Sequence, residues 1–364
     1  MRPFSLFLIL FLCAAGAFAQ SDQYVISRQG SVTVFPDYQS WSAKDAGTSF
    51  SQVSGTVSAY IPAGRSLAFT LQGSGEGSSG DVAQLSGLSD AQVGMQYYME
   101  AISTVFSLGV NVPTGKKELT REEFLTSILF SNSLFNLQVP VLGQGLNVNP
   151  GVAVVLPVNE SFVVGLAGSF QYRGPYKPRQ GLGDYDPGDE ITASAGLDYR
   201  IDDAVSVSTD FVFSSYTADK FDGNKVFASG NAYWVNLQYR QYVRENELRV
   251  FAGYRTKSKG QIQGAGGLVD EKERLEPGRL DLAVSYRVAF TPRINVTFGL
   301  EGRVFESTPA PFAGAKVFGA VASPVFALGG GFSVPARVKV QVGKLKGGET
   351  LTGLEAGVGL TYVF

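Results

Sequence analysis

The sequence predicts an all-β protein, an antiparallel β-barrel that crosses a membrane with its strands. Three observations predict it. Apolar residues fall at every second position over long stretches, connections alternate between short and long, and the other face of strand after strand carries glycines and full charges. Period two means a strand with one apolar and one polar face. The stretches exceed the usual ~5–6 residues of a soluble strand. A transmembrane strand needs about 9–11 tilted residues, and only a closed barrel satisfies strand backbones in lipid.

The clearest strands can be taken in chain order. In "EITASAGLDYR", Ile191, Ala193, Ala195, Leu197 and Tyr199 alternate with Thr192, Ser194, Gly196, Asp198 and Arg200. In "RLDLAVSYRVAF", Leu280, Leu282, Val284, Tyr286, Val288 and Phe290 alternate with Asp281, Ala283, Ser285, Arg287 and Ala289. "RINVTFGLEGRVF" sets Ile294, Val296, Phe298, Leu300 and Val304 against Asn295, Thr297, Gly299, Glu301 and Arg303. "PARVKVQVGK" sets Val338, Val340 and Val342 against Arg337, Lys339 and Gln341. The final "GLEAGVGLTYVF" places Leu354, Ala356, Val358, Leu360, Tyr362 and Phe364 on one face.

Short turns separate pairs of strands: "PAGR" (62–65), "MEA" (99–101), "PVNES" (157–161), "RIDDA" (200–204), "RENE" (244–247), "TPR" (291–293) and "GGG" (329–331). Most carry the Gly, Pro, Asn or Asp that tight turns need. Longer connections fall near 37–48, 76–88, 115–144, 175–188, 217–224, 259–278, 307–314 and 346–350. In a membrane barrel the short turns face the periplasm and the long loops face outside. Seven such turns, with both chain ends in the periplasm, predict 16 strands. The count needs a first strand near Tyr24–Phe35, whose alternation is poor; without it the parity gives 14.

The N-terminus reads "MRPFSLFLILFLCAAGAFAQ". Arg2, the apolar run from Phe4 to Leu12 and the small-x-small site Ala17-Phe18-Ala19 are the parts of a secretory signal peptide. Residues 1–19 are therefore read as a leader and 20–364 as one barrel domain. Leu12 before Cys13 argues against a lipidated cysteine. The rest of the chain has no Cys and the whole chain has no His, so disulfides and thiolate or imidazole metal ligands are excluded. The formal net charge of -2 carries no basic excess that would point to nucleic acid. No run after residue 20 is apolar enough for a transmembrane helix.

The signal peptide, the alternating strands and the last strand "GLTYVF" resemble a bacterial outer-membrane β-barrel of porin type. Leu360, Tyr362 and Phe364 are similar to the terminal signal read by the barrel-assembly machinery. "SLGVNVPTGKKEL" resembles the strand-end PTG segments of the phenol meta-pathway barrels, which are related to the long-chain fatty-acid transporters. That second resemblance implies an N-terminal hatch, yet the segment before the first clear strand is short and lacks the hatch's Asn-Pro-Ala motif. The resemblance implies contact with outer-membrane lipid and lipopolysaccharide, passage of a small-molecule solute, and no cofactor. The enzymes among such barrels resemble one another in using a histidine, and this chain has none, so no enzymatic role is expected.

The strand phase turns Arg173, Arg200, Arg240, Arg249, Asp281, Arg287, Glu301, Arg303, Arg337, Lys339 and Glu355 toward the lumen, because charges facing lipid are costly. They are the candidate pore-lining residues. Arg287, Arg303, Arg337 and Lys339 on successive late strands suggest a basic ladder favouring anions. The bland alternative is a salt-bridged interior that merely keeps charge out of lipid. The acidic loop "GDYDPGDE" (183–190) has oxygen ligands at a spacing that could hold Ca²⁺, but solvation explains it equally, and no metal site is assigned.

One stretch departs from the β pattern. "LTREEFLTSILFSNSLFNL" reads as a loop helix near 120–137, with a capping box at Thr120 and Glu123 and Pro140 as far boundary. It is too apolar to lie in water. Phe124, Ile128, Leu129 and Phe135 are candidate hydrophobic gate or solute contacts if it lies in the lumen; packing against the lipid-facing rim or against other loops are the alternatives. The resulting expectation is a passive diffusion channel with a polar, charge-lined lumen. The alternatives are a hydrophobic-compound transporter using the helix, or a structural or adhesive barrel with a closed lumen.

Overall fold

The computed structural model describes residues 27–364, so the leader expected at 1–19 lies outside the described residues. Sixteen strands form the barrel. The first five are β1 (Ser31–Ala43), β2 (Thr48–Pro62), β3 (Leu67–Gly80), β4 (Ala91–Met99) and β5 (Thr104–Val112). The next six are β6 (Asn147–Pro157), β7 (Phe162–Arg173), β8 (Glu190–Arg200), β9 (Val205–Tyr216), β10 (Ala232–Val243) and β11 (Asn246–Lys257). The last five are β12 (Arg279–Thr291), β13 (Ile294–Phe305), β14 (Lys316–Gly329), β15 (Phe332–Lys344) and β16, which runs Thr350–Val358 and Leu360–Val363 with a break at Gly359. Each strand pairs antiparallel with the next, and β16 closes on β1 through pairs such as Tyr38↔Ala356 and Thr33↔Thr361. The barrel sheet therefore has no open edge, as a membrane requires.

The side-chain distribution is inverted relative to a soluble protein. On β15, Val338, Val340 and Val342 are 52%, 54% and 58% exposed, whereas Lys339 between them is fully buried. Val284, Leu300, Phe318 and Leu354 are likewise exposed on their strands. An apolar outer band with a polar interior is stable only in lipid. Among the described residues no helix is long and apolar enough to cross a membrane; the strands make the crossing.

The seven short turns fall as expected, at 63–66, 100–103, 158–161, 201–204, 244–245, 292–293 and 330–331. Gly329, Gly330 and Gly331 all have positive φ, of 92°, 61° and 83°, which explains three consecutive glycines at one turn. The opposite end carries the longer loops. Three of them, 174–189, 217–231 and 258–278, are knitted into a five-stranded external sheet that includes Tyr185–Asp186, Ala218–Phe221 and Gln261–Gly264.

Two expectations need correction. The first strand runs Ser31–Ala43, not Tyr24–Phe35, and its loop is only 44–47. Pro36-Asp37 looks like a turn in sequence, but Pro36 points outward and Asp37, Gln39 and Trp41 are the buried inward face. The helix, α1, spans Arg121–Ser131 rather than 120–137. Its capping box is formed: Thr120 accepts from the Glu123 N–H, and Glu123 accepts from the Thr120 N–H. It ends because Asn132 turns its backbone extended and its Oδ1 accepts from the Leu134 N–H at 2.9 Å. The chain beyond is an irregular strap.

Candidate functional site

That strap enters the barrel. From β5 to β6, residues 113–146, the chain folds against the inner wall near the external mouth instead of resting on the rim. Gln39 and Gln52 project inward from β1 and β2 and act as surrogate strand edges. Gln39 Nε2 donates to Asn136 O at 3.2 Å, and its Oε1 accepts from the Gln138 N–H at 2.6 Å. Gln52 repeats the pattern with Val139, donating at 2.9 Å and accepting at 3.2 Å. Trp41 Nε1 donates to Phe135 O at 3.1 Å, and Arg303 Nη1 to Ser133 O at 3.0 Å. A primary amide matches a peptide group donor for acceptor, so the strap buries its backbone without orphaning it.

Apolar side chains complete the seal. Phe130, Leu134, Phe135 and Leu137 pack with Trp41, Phe50, Phe305, Val317 and Leu351 of the wall. Ring centroids lie 5.6 Å apart for Trp41–Phe135 and 5.1 Å for Phe50–Phe135, both edge to face. Phe135 is therefore an anchor of the strap and not a surface a solute could touch. Phe124 and Leu129 are half-buried against the same cluster. Ile128, 53% exposed, and Leu125, 59% exposed, form the open face of α1. Leu125 is a neighbour that the choice of Ile128 and Leu129 from sequence passes over, although i, i+3 spacing would have found it.

Beneath the strap lies a closed ionic cluster. Lys339 Nζ sits 3.0 Å from Glu301 Oε1 and 2.9 Å from Glu355 Oε2. Arg337 Nε is 3.0 Å from Glu355 Oε1, and Arg303 Nη2 donates to Gln341 Oε1 at 2.7 Å. The Lys339 pairs are held by charge more than by aligned hydrogen bonds. Gln138 of the strap caps the cluster by donating to Glu355 at 3.3 Å. Arg303, Lys339 and Glu355 thus face inward but are sealed from lumenal water. The expected late-strand basic ladder is not continuous: Arg337 and Lys339 are paired with Glu355 and Glu301, Arg303 is buried against Gln341 and the Ser133 carbonyl, and Arg287 belongs to another group.

That other group lies on the uncovered wall, β7 to β12. Glu247 is nearly enclosed by three guanidiniums: Arg249 Nε at 2.6 Å, Arg240 Nε at 3.3 Å and Arg287 Nη2 at 3.5 Å. Arg240 and Arg249 are direct cross-strand partners, a costly placement for like charges that the shared carboxylate offsets only in part. Toward the external mouth, Arg173 pairs with Glu190, and Arg279 with Asp281 at 2.8 Å. Arg173 and Lys257 both lie over the Tyr216 ring, 5.8 and 5.2 Å from its centroid. Arg200 donates to Glu160 O at the periplasmic rim. Strands β4, β5 and β6 between the two walls contain no charged residue; Gln92, Gln96, Ser107 and Asn111 face inward there.

No protein-family model matches the chain, and no curated protein matches it by sequence. Solved structures do match in fold. CdiB from Acinetobacter baumannii superposes with a TM-score of 0.54 at 8% identity, covering 90% of this chain and 60% of its own. Pseudomonas putida OprB gives 0.51 at 11% identity, covering 92% and 94%. An anion-selective porin from Comamonas acidovorans gives 0.45 at 14%, covering 92% and 98%. The chain spans 60% of the length of the first and nearly all of the other two.

The fold is that of a porin-like outer-membrane barrel. In this porin-like barrel the chain's last strand lies outward: Tyr362 stacks between Phe332 at 4.6 Å and Phe364 at 5.9 Å, and the Phe364 N–H meets Gly30 O at 3.0 Å. Leu360 shares that outer face. The acidic loop is spent on its own fold. Asp186 pairs with Lys220 at 3.0 Å, Asp189 accepts from the Arg173 N–H at 3.0 Å, and no three acids converge among the described residues. Burial, then the bond to Asp219, push the Tyr185 phenol well above its usual range, so it stays a donor that stitches the external sheet.

Proposed function

We propose that the protein is a passive diffusion channel of the bacterial outer membrane for small hydrophilic solutes, with a preference for anions. One observation carries the reading. The strap covers the wall that holds the Lys339 cluster, while on the open wall Arg240, Arg249 and Arg287 share the single carboxylate of Glu247 and leave a basic excess at that point of the lumen. Solutes pass beside the strap, along the open wall, and the field there raises the local anion concentration. Export through the 1–19 leader, insertion by the barrel-assembly machinery through Leu360, Tyr362 and Phe364, and contact with lipopolysaccharide at the external rim belong to the same reading.

The purified protein in a planar bilayer tests it. A steady open conductance is expected, with a reversal potential under a KCl gradient of the sign that reports chloride preference. Cation preference would overturn the anion reading, and absence of any conductance would overturn the channel. A second reading draws on the exposed Leu125 and Ile128 side by side on α1: passage of a hydrophobic compound. Negligible conductance together with uptake of such a compound into liposomes would favour it.

A further inference from the structure

We propose that Trp234, Phe251 and Arg255 form a binding station for small aromatic carboxylates on the open wall. The station rests on the reading of this lumen as a solute path and names a class of solute for it. Strand β11 places Phe251, Gly253 and Arg255 on the lumenal face at every second position, and Trp234 of β10 is the direct cross-strand partner of Arg255. Gly253 brings the two rings together. A Cβ added there would lie 2.8 Å from the Phe251 ring and 3.2 Å from Trp234 Nε1, so both rings rest down on the strand where a side chain would stand. Two partly exposed aromatic side chains therefore form a low platform, beside the buried Val212, in a mostly polar wall.

Arg255 supplies the second half of the recognition. The neighbouring cations are spoken for: Arg249 by Glu247, Lys257 by Glu276 at 2.7 Å and Arg279 by Asp281. Arg255 is exposed and has no carboxylate partner among the described residues. Its planar fork takes a carboxylate through two parallel hydrogen bonds. A ring attached to that carboxylate comes to rest on Trp234 and Phe251, with apolar burial and offset stacking. Acetate offers only the charge and benzyl alcohol only the ring, so each satisfies half of the station.

The chain's two tryptophans make the test direct. Trp41 is sealed beneath the strap, which leaves Trp234 as the lumenal reporter. Benzoate, acetate and benzyl alcohol would be titrated into the full protein in detergent while tryptophan fluorescence is read. In parallel, reversible interruption of chloride current would be recorded in bilayers. Benzoate should give a saturating response in both, with the other two compounds at least about tenfold weaker. Arg255→Gln should weaken benzoate about tenfold, the loss of one charge-assisted contact. Gly253→Val, which lifts the rings but leaves every charge, should do the same independently. Equal responses to acetate and benzoate, or an Arg255→Gln variant that binds benzoate normally, overturns the station. Chloride current without any benzoate response removes the station and leaves the channel. Saturable, Arg255-dependent fluorescence without current keeps the station and removes the diffusion reading.

Discussion

Lys339 and Glu247 are both almost wholly enclosed charges on the inner face of one barrel, and they do opposite things. Lys339 sits between two carboxylates under a protein lid, so its cluster is closed in charge as well as in space. Glu247 sits among three guanidiniums whose outer sides, 51% exposed at Arg249 and 44% at Arg287, face the lumen. The first group holds the strap's floor; the second leaves positive charge unspent. An inward charge in a barrel is therefore not a lumenal charge. What decides is whether a loop covers it and whether its partners cancel it.

The largest effect is expected on the covered side. Replacing Lys339 by Met removes the cation shared by the sealed Glu355 and the partly exposed Glu301. Breaking such a buried group by removing one partner costs about 3–5 kcal/mol, measured as a lower midpoint of denaturant unfolding in detergent. Phe135→Ala should cost about 3–5 kcal/mol by emptying the aromatic cluster. Because the strap then loosens, it should also raise single-channel conductance. Deletion of 120–137 extends the same test, and an unchanged conductance in both variants would remove the strap as a constriction.

The contrast between the walls was only half legible in the sequence. Period two and turn spacing were enough for a closed barrel and for most of its boundaries, because the lipid-facing phase is dictated strand by strand. β1 was not legible, because its inward face is built to meet the strap: Gln39 binds Asn136, 97 positions away, so its polarity and the bulk of Trp41 follow no local rule. For the same reason Arg303, Lys339 and Glu355 could be phased inward but not seen to be covered. Gln39 and Gln52 carried no pattern that singled them out, and strand phase turns Arg255 inward without showing what it meets; their roles come from what crosses the chain to reach them.

On the open wall the expected effects are smaller in stability and larger in selectivity. Glu247→Gln removes the carboxylate shared by Arg240, Arg249 and Arg287, and should increase the anion-to-cation permeability ratio read from reversal potentials. Arg249→Gln should reduce it, and salt should weaken both shifts, since the guanidiniums that carry them into the lumen are water-exposed and screened. The mirror change on the covered wall, Gln341→Glu, should leave selectivity alone, because that position is sealed. Equal selectivity shifts from the two walls would break the distinction between them.

The smallest effect belongs to the lid's entry point. At Glu123 burial opposes ionisation, but the Lys116 hydrogen bond, the Thr120 N–H and the Lys116 charge outweigh it and hold the carboxyl below its ordinary value. A folded-state pKa that is lowered contributes stability that is present above the unfolded value, about 4.3, and is lost as pH falls through the folded one. The start of α1 should therefore hold at neutral pH and fray in acid. Thr120→Ala should cost about 1 kcal/mol at pH 7 and less once Glu123 is protonated, since the two act as one capping box. Amide exchange at Glu122 and Glu123 on both sides of that transition reads the difference. If the capping box and the sealed cluster are separate devices, the strap residues Phe135 to Val139 stay protected while α1 frays, because the neutral side chains of Trp41, Gln39 and Gln52 hold their backbone directly.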